Sequence, residues 1–340
     1  MKPEKLLLPH VGWLLHEPED DVARFLNEGW YEYREQAFLW LYAREGDVFV
    51  DGGAHFGLYS ALYATATQGR VKVWAVEPNP STRRLLTRNL KLCKLPSARV
   101  VPCAIGNAPG RVAFYPGTVA KAAYGGLKSE HAGAPALEVP AITLDQLCQE
   151  HAIGTVSLVK LDIEGAEIDA LRGARASIAA GRFPVLMVEF TEQNLERFGL
   201  STRDLFDDLE SYGNVICRFD EERLRLAAVQ YSGPVWYDNY FAVSDIETVN
   251  HRLALASPAH RRIARELLRR GAICSALYSS AGRADEATRR AEEAVKTLDA
   301  AYARIGEANW RADELQKRLL ALQSSAYVRL GRALRLLASD

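Results

Sequence analysis

The chain has 340 residues, of which 48% are hydrophobic and 25% charged, and its formal net charge is -1. That is the composition of a soluble α/β protein with an appendage, and it gives no electrostatic reason to expect a nucleic-acid partner. Five cysteines without a CxxC or metal-ligand spacing argue against a disulfide framework and a zinc site, and for a reducing cytoplasm. The apolar start is too short and too interrupted by Pro9 for a signal peptide, and no run is long enough to cross a bilayer.

In chain order, a helix is expected from about Asp20 to Arg44, within a stretch dense in aromatic and acidic residues. Glu45-Gly46-Asp47 turns into a buried strand ending at Asp51, followed by a glycine turn and a helix from near Phe56. Val71 to Val76 reads as the next strand, with Glu77 at its tip, and the Pro78-Asn79-Pro80 turn opens an amphipathic helix over 81–92. Arg99 to Cys103 is a third strand. Arg111–Tyr115 and Leu137–Ile142 read as two strands joined by a Gly/Ala-rich loop, and Thr143 as a helix N-cap. A strand from Val156 to Leu161, a helix from Gly165 to Ala180 and a strand from Pro184 to Val188 continue the alternation. Tyr231 to Val243 is expected to be a closing antiparallel pair.

This alternation predicts an α/β fold with a doubly wound, mainly parallel sheet covered on both faces. The ligand then belongs beyond the carboxyl ends of the strands, where the strand order switches. Asp51, Glu77, Asp162 and Glu189 converge on that edge.

The turn Asp51-Gly-Gly-Ala-His-Phe-Gly57 supplies no G-x-G-x-x-G in any register, which argues against a nicotinamide dinucleotide. Asp51 would repel a phosphate but not a cationic sulfonium, and Asp51-x-Gly53-x-x-x-Gly57 resembles the first motif of class I methyltransferases. Gly53 and Gly57 are expected to let the backbone approach the ligand. His55 is expected to orient the loop or touch the cofactor, and Glu77 to accept the ribose hydroxyls of an adenosine.

Lys160-Leu-Asp-Ile-Glu164 is the second constellation. Strand alternation puts Lys160 and Asp162 on one side, with Glu164 in the turn. Methylating a hydroxyl requires a base, for which Asp162 and Glu164 are candidates. Lys160 would hold a carboxylate in place or stabilise an oxyanion. Glu167 is expected to complement the following helix N-terminus, and His131 to be a loop histidine. No cluster has convincing metal spacing, although Asp162 and Glu164 could hold a hard divalent cation as paired carboxylates do.

Together with Val76-Glu-Pro-Asn79, Ile142-Thr-Leu-Asp145, Leu171-Arg-Gly173 and Pro184-Val-Leu-Met-Val-Glu189, these motifs resemble the FkbM family over about residues 30–245. The resemblance implies an S-adenosyl-L-methionine-dependent O-methyltransferase with a Rossmann-like class I fold. It implies cofactor contacts at Asp51, Gly53, Gly57, Glu77 and Asn79, and adenine neighbours in Ala104–Asn107. It further implies a glycan or small-molecule hydroxyl as acceptor. His55 stands where the family usually has asparagine. The alternatives carried beside it are a catalytically silent scaffold for glycan-assembly enzymes and an NAD-dependent oxidoreductase.

A methyltransferase domain is therefore expected over 1–246, a helical linker over 247–283, a coiled coil over 284–325 and a basic amphipathic tail over 326–340. Heptad a positions run from Ala284 to Ala326 and d positions from Ala287 to Leu322. The g column holds Arg290, Arg304, Arg311 and Arg318 opposite neutral e positions, so self-pairing gains no e/g ion pairs and a heterologous helical partner stands beside a homodimer. In the tail, Arg329, Arg332 and Arg335 lie beside leucines, a pattern suited to peripheral contact with an anionic membrane.

Overall fold

The computed structural model describes residues 2–117, 125–129 and 135–280. The coiled-coil heptads, the basic tail and His131 lie outside the described residues.

The N-terminal segment opens with an antiparallel hairpin, β1 (Glu4–Leu8) and β2 (Gly12–His16), where no strands were expected. Two strands alone are marginal in water. Here the buried Asn89 side chain, which is distant in sequence, receives the Leu15 N–H and donates to the Leu15 carbonyl, at 2.7 and 2.8 Å. The single helix expected over 20–44 is two: α1 (Asp21–Glu28) and α2 (Tyr33–Tyr42). Gly29, at φ 87°, ends the first by donating its N–H to the Phe25 and Leu26 carbonyls.

The alternating core follows: β3 (Val48–Gly52), α3 (Leu58–Ala66), β4 (Lys72–Val76), α4 (Pro80–Leu92) and β5 (Ala98–Val101). A three-stranded side sheet, in the order β6-β8-β7, comprises β6 (Ala104–Ile105), β7 (Gly110–Phe114) and β8 (Leu137–Ile142). Next come α5 (Leu144–Glu150), with Thr143 receiving the Gln146 N–H at its cap, and β9 (Leu158–Leu161). The helix expected over 165–180 is divided into α6 (Glu167–Arg172) and α7 (Arg175–Ala179). The break is at Gly173, whose missing side chain leaves room for the Gly106 carbonyl.

The remainder comprises β10 (Val185–Phe190), α8 (Glu192–Glu196), α9 (Thr202–Ser211), β11 (Val215–Asp220), β12 (Arg225–Ala228), β13 (Asp238–Val243), α10 (Ile246–Ala254) and α11 (Pro258–Ser280). The closing antiparallel strands thus come from 215–228 and 238–243, and residues 231–237 form no strand.

The eight-stranded main sheet runs β12-β11-β13-β10-β9-β3-β4-β5. Its β10, β9, β3, β4 and β5 are parallel, and the other three strands are added antiparallel, so the sheet is mixed. The order switches between β3 and β9, because the chain winds outward from β3 in one direction and from β9 in the other. Side-chain alternation divides the core in two. Phe49, Val73, Leu158 and Met187 pack under α2, α3, α4, α10 and α11, while Val50, Trp74, Val159 and Val188 pack under α5, α6 and α9.

The segment expected to be a linker joins this body. Leu253, Ala256, Ala264 and Leu268 are buried in the first core, and the Arg252 guanidinium reaches Asp47 at 2.5 Å while lying over the Tyr42 ring. Among the described residues no helix is long and apolar enough to cross a membrane.

Candidate functional site

A cavity of about 250 Å³ opens where the topology predicts, beyond the carboxyl ends of β3, β4, β9 and β10. Of the residues expected at the site, Gly53, His55, Glu77, Ala104, Asp162 and Glu164 line it, whereas Asp51, Gly57, Asn79 and Lys160 do not.

Asp51 sits under α3, on the pleat face it shares with Phe49. Gly57, the N-cap of α3, has no side chain to offer, and Asp51 takes over that task. Its Oδ2 accepts the Ser60 N–H at 3.1 Å and the Ser60 hydroxyl at 2.6 Å, satisfying a helix N-terminal donor that would otherwise be unpaired. Burial raises its carboxyl, against the opposing pull of Lys160 and Ser60. Asp51 thus holds the start of α3 through Oδ2, while its Oδ1 is buried without a hydrogen-bond partner. Asn79 is likewise a cap, its Oδ1 receiving the Ser81 N–H at 3.1 Å at the start of α4.

The glycines also serve the protein itself. Gly53 has φ 76°, and a Cβ there would drive into the Asp162 carbonyl. Its absence lets the tips of β3 and β9 close on each other. Gly57, at φ 93°, leaves room for Leu86 of α4.

Glu77 is buried at the tip of β4 with each oxygen fixed by one backbone donor: Oε2 by the His55 N–H and Oε1 by the Asn79 N–H, both at 2.8 Å. Burial pushes its carboxyl up to about 7, despite those two hydrogen bonds. His55 is held with φ 48°, and its Nε2 is 3.4 Å from the carboxylate of Asp20, the residue that caps α1. Burial lowers the His55 imidazole, so it is neutral near pH 7.

The β9 and β10 side is crowded with acids. Oxygens of Asp162, Glu164 and Glu189 lie within 4.8 Å of one another, a group able to hold a metal ion. Asn194 donates from Nδ2 to Glu164 at 2.8 Å and to Glu189 at 3.4 Å. Burial first, then the neighbouring charge of Asp162, raises both glutamic acids well above the ordinary carboxylate range. Glu164 also takes the left-handed backbone, at φ 58°, and Glu167 fixes that turn by accepting the Ile163 and Gly165 N–H groups.

Lys160 lies one residue-pair below, fully enclosed, and donates to Asp162 at 2.6 Å with its ammonium 4.7 Å from the Tyr59 ring centroid. Burial alone would lower it, but the carboxylates of Asp162, Glu32 and Asp51 outweigh this and raise it. It thus holds Asp162 and does not reach the cavity.

Several lining residues escaped the sequence reading: Val22, Phe25, Trp30, Tyr31 and Tyr237. The aromatic density before residue 45 was their signal, but nothing in it aims a side chain at a site a fold away. Glu32 anchors them. It receives the Tyr59 hydroxyl on Oε2 at 2.6 Å, and the Tyr237 hydroxyl and Asn239 amide on Oε1 at 2.6 and 2.8 Å.

Residues 51–216 match the family model described as the Methyltransferase FkbM domain. The hexuronic acid methyltransferase AglP of Haloferax volcanii is 28% identical over 172 residues, which cover 50% of this chain and 62% of that protein, less than two thirds of its length. Methyltransferase FkbM from Methylobacillus flagellatus is 19% identical with a TM-score of 0.39, covering 59% of this chain and 44% of that one. Aeropyrum pernix fibrillarin, solved with S-adenosyl-L-methionine bound, is 12% identical with a TM-score of 0.36, covering 63% and 76% respectively. At these scores the fold rests on the strand order and register described above.

Proposed function

We propose that this chain, whose residues 51–216 match the FkbM methyltransferase domain, is an S-adenosyl-L-methionine-dependent O-methyltransferase acting on a sugar hydroxyl of a glycan or glycolipid precursor. The observation that carries this reading is the acidic lining of the cavity, whose raised carboxyls ionise more readily when a cation enters. Glu77, Asp162, Glu164 and Glu189 line it, and among its described lining residues there is no lysine or arginine. Such a lining suits a cationic sulfonium and disfavours the pyrophosphate of a dinucleotide. Glu77, fixed at the tip of β4, is the residue to receive the ribose hydroxyls, with Ala104 and Ile105 beside the base.

When bound, S-adenosyl-L-methionine supplies an electrophilic methyl group. The chain's own task is to orient the acceptor hydroxyl and remove its proton. Glu164 is the proposed base: burial makes its carboxylate strongly basic, and positive charge in the cavity favours its ionised form. Asp162, tied to Lys160, would position the acceptor. AglP, by its name a hexuronic acid methyltransferase, supports a sugar acceptor in general.

The heptads beyond residue 283 are proposed to bind a helical partner or a second copy, and the tail to touch an anionic membrane face from the cytoplasm. Sedimentation of full-length and 1–282 chains separates self-association from its absence, and liposome pelleting tests the tail. The enzymatic reading is tested by transfer of labelled methyl from S-adenosyl-L-methionine to a glycolipid extract. Labelled product is expected with the wild type and not with Glu164→Gln; no product with either contradicts it.

A further inference from the structure

The cavity has two kinds of wall. The strand tips lie within the family domain, but Phe25, Trp30, Tyr31 and Tyr237 come from segments flanking residues 51–216. Phe25 and Trp30 lean on each other with ring centroids 4.5 Å apart, and the Trp30 indole N–H is fixed by Glu28 at 3.0 Å. Tyr237 leaves 53% of its surface exposed while its hydroxyl is seated on Glu32. Glu32 adopts φ 43° at the N-cap of α2 and does not cap that helix, its carboxylate being committed to Tyr59, Tyr237 and Asn239. Strain of this kind at a non-glycine residue persists only where the surroundings enforce it.

We propose that this aromatic wall is the acceptor subsite and that it takes an uncharged pyranose, with its C–H face on the rings and its hydroxyls toward Asp162, Glu164 and Glu189. This inference rests on the methyltransferase reading and sharpens it. Aromatic faces give a sugar ring an apolar seat. The same cavity holds three carboxyl groups within 4.8 Å of one another, which engage several hydrogen-bonding partners at once. A polyol supplies several donors on different faces, whereas a catechol, which would also stack on the rings, supplies only two on one edge. Charge then disfavours a uronate, because buried acids that already resist ionisation resist a further negative charge beside them. Three acids surround the position, Lys160 is bound to Asp162, and the one basic residue among the described lining is the neutral His55. The described lining offers a hexuronate carboxylate no cationic side chain to meet it. On this point the chain departs from what the name AglP says of that relative.

The test uses the full-length protein with S-adenosyl-L-methionine and four neutral methyl hexopyranosides, their matched hexuronosides and catechol. Methyl transfer is read by label, and binding by saturation-transfer NMR. Neutral pyranosides should be bound and methylated in preference to both other classes. Trp30→Ala should raise KM for them roughly tenfold, Trp30→Phe should recover most of that, and S-adenosylhomocysteine affinity should stay at its wild-type value in both. Preference for a hexuronoside or catechol, or a wild-type KM in Trp30→Ala, overturns the proposal. So does a protein that binds S-adenosylhomocysteine but none of the neutral pyranosides, which leaves the methyltransferase reading standing. Failure to bind S-adenosylhomocysteine strikes the underlying reading instead.

Discussion

Asp51 and Asp162 invite comparison. Both lie at the carboxyl ends of adjacent parallel strands, on the same pleat face, two residues apart in register. Yet Asp51 is turned down onto the first turn of α3, where Ser60 binds it twice, while Asp162 faces the cavity with Lys160 behind it. What separates them is the next helix. α3 begins at a glycine that cannot cap it, so the acid before it must. The turn after β9 has Glu167 to receive the Ile163 and Gly165 N–H groups, and Asp162 is left for other work. A strand-tip carboxylate becomes available for chemistry only when something else satisfies the adjacent backbone.

The contrast is tested most severely on the β9 side. Glu164→Gln keeps the shape and removes the base, so kcat should fall by about 10²–10⁴-fold with S-adenosylhomocysteine binding retained. Steady-state methyl transfer with calorimetry checks both, and an unchanged kcat would show that the proton leaves by another route. Next in size, Lys160→Met leaves Asp162 beside an emptied cation position and should cost roughly 3–5 kcal/mol in urea unfolding. A loss below 1 kcal/mol would mean that the pair behaves as a surface ion pair.

On the β3 side the effect should be on stability. Asp51→Ala should cost about 1–2 kcal/mol while the folded enzyme keeps its kcat. A variant of normal stability and no activity would return Asp51 to the site.

The sequence disclosed the edge of the sheet but not the direction of each side chain along it. Alternating apolar strands and glycine turns made the α/β sheet and its switch point legible, and the Lys160–Glu164 spacing made that constellation legible too. Asp51, Asn79 and Gly57 carry structural tasks that their sequence pattern does not separate from ligand binding. Caps and close helix packing demand the same residue types that ligands do, and only the positions of Ser60, Ser81 and Leu86 distinguish the two uses. The β1–β2 hairpin, Tyr237 and the integration of α10 and α11 depend on contacts distant in sequence, which no local pattern encodes. The aromatic cluster before residue 45 was visible, but its destination was not.

The last expected effect concerns pH. Glu77 is raised from an unfolded value near 4.5 to about 7, so the folded protein binds the extra proton between those values. Without ligand, stability should therefore fall as pH rises from about 4.5 through 7, by at most ~1.4 kcal/mol per pH unit from this group. Glu77→Gln should flatten that part of the profile in thermal unfolding. An unchanged slope would assign the proton to Glu164, Glu167 or Glu189.

The central claim is that the acid-lined cavity at the β3–β9 switch receives S-adenosyl-L-methionine. Calorimetric titration of the full-length protein with S-adenosylhomocysteine and with NAD tests it most directly. The account predicts saturable one-site binding of S-adenosylhomocysteine, weakened by Glu77→Gln, and no heat from NAD. Binding of NAD, or of neither ligand, would contradict it.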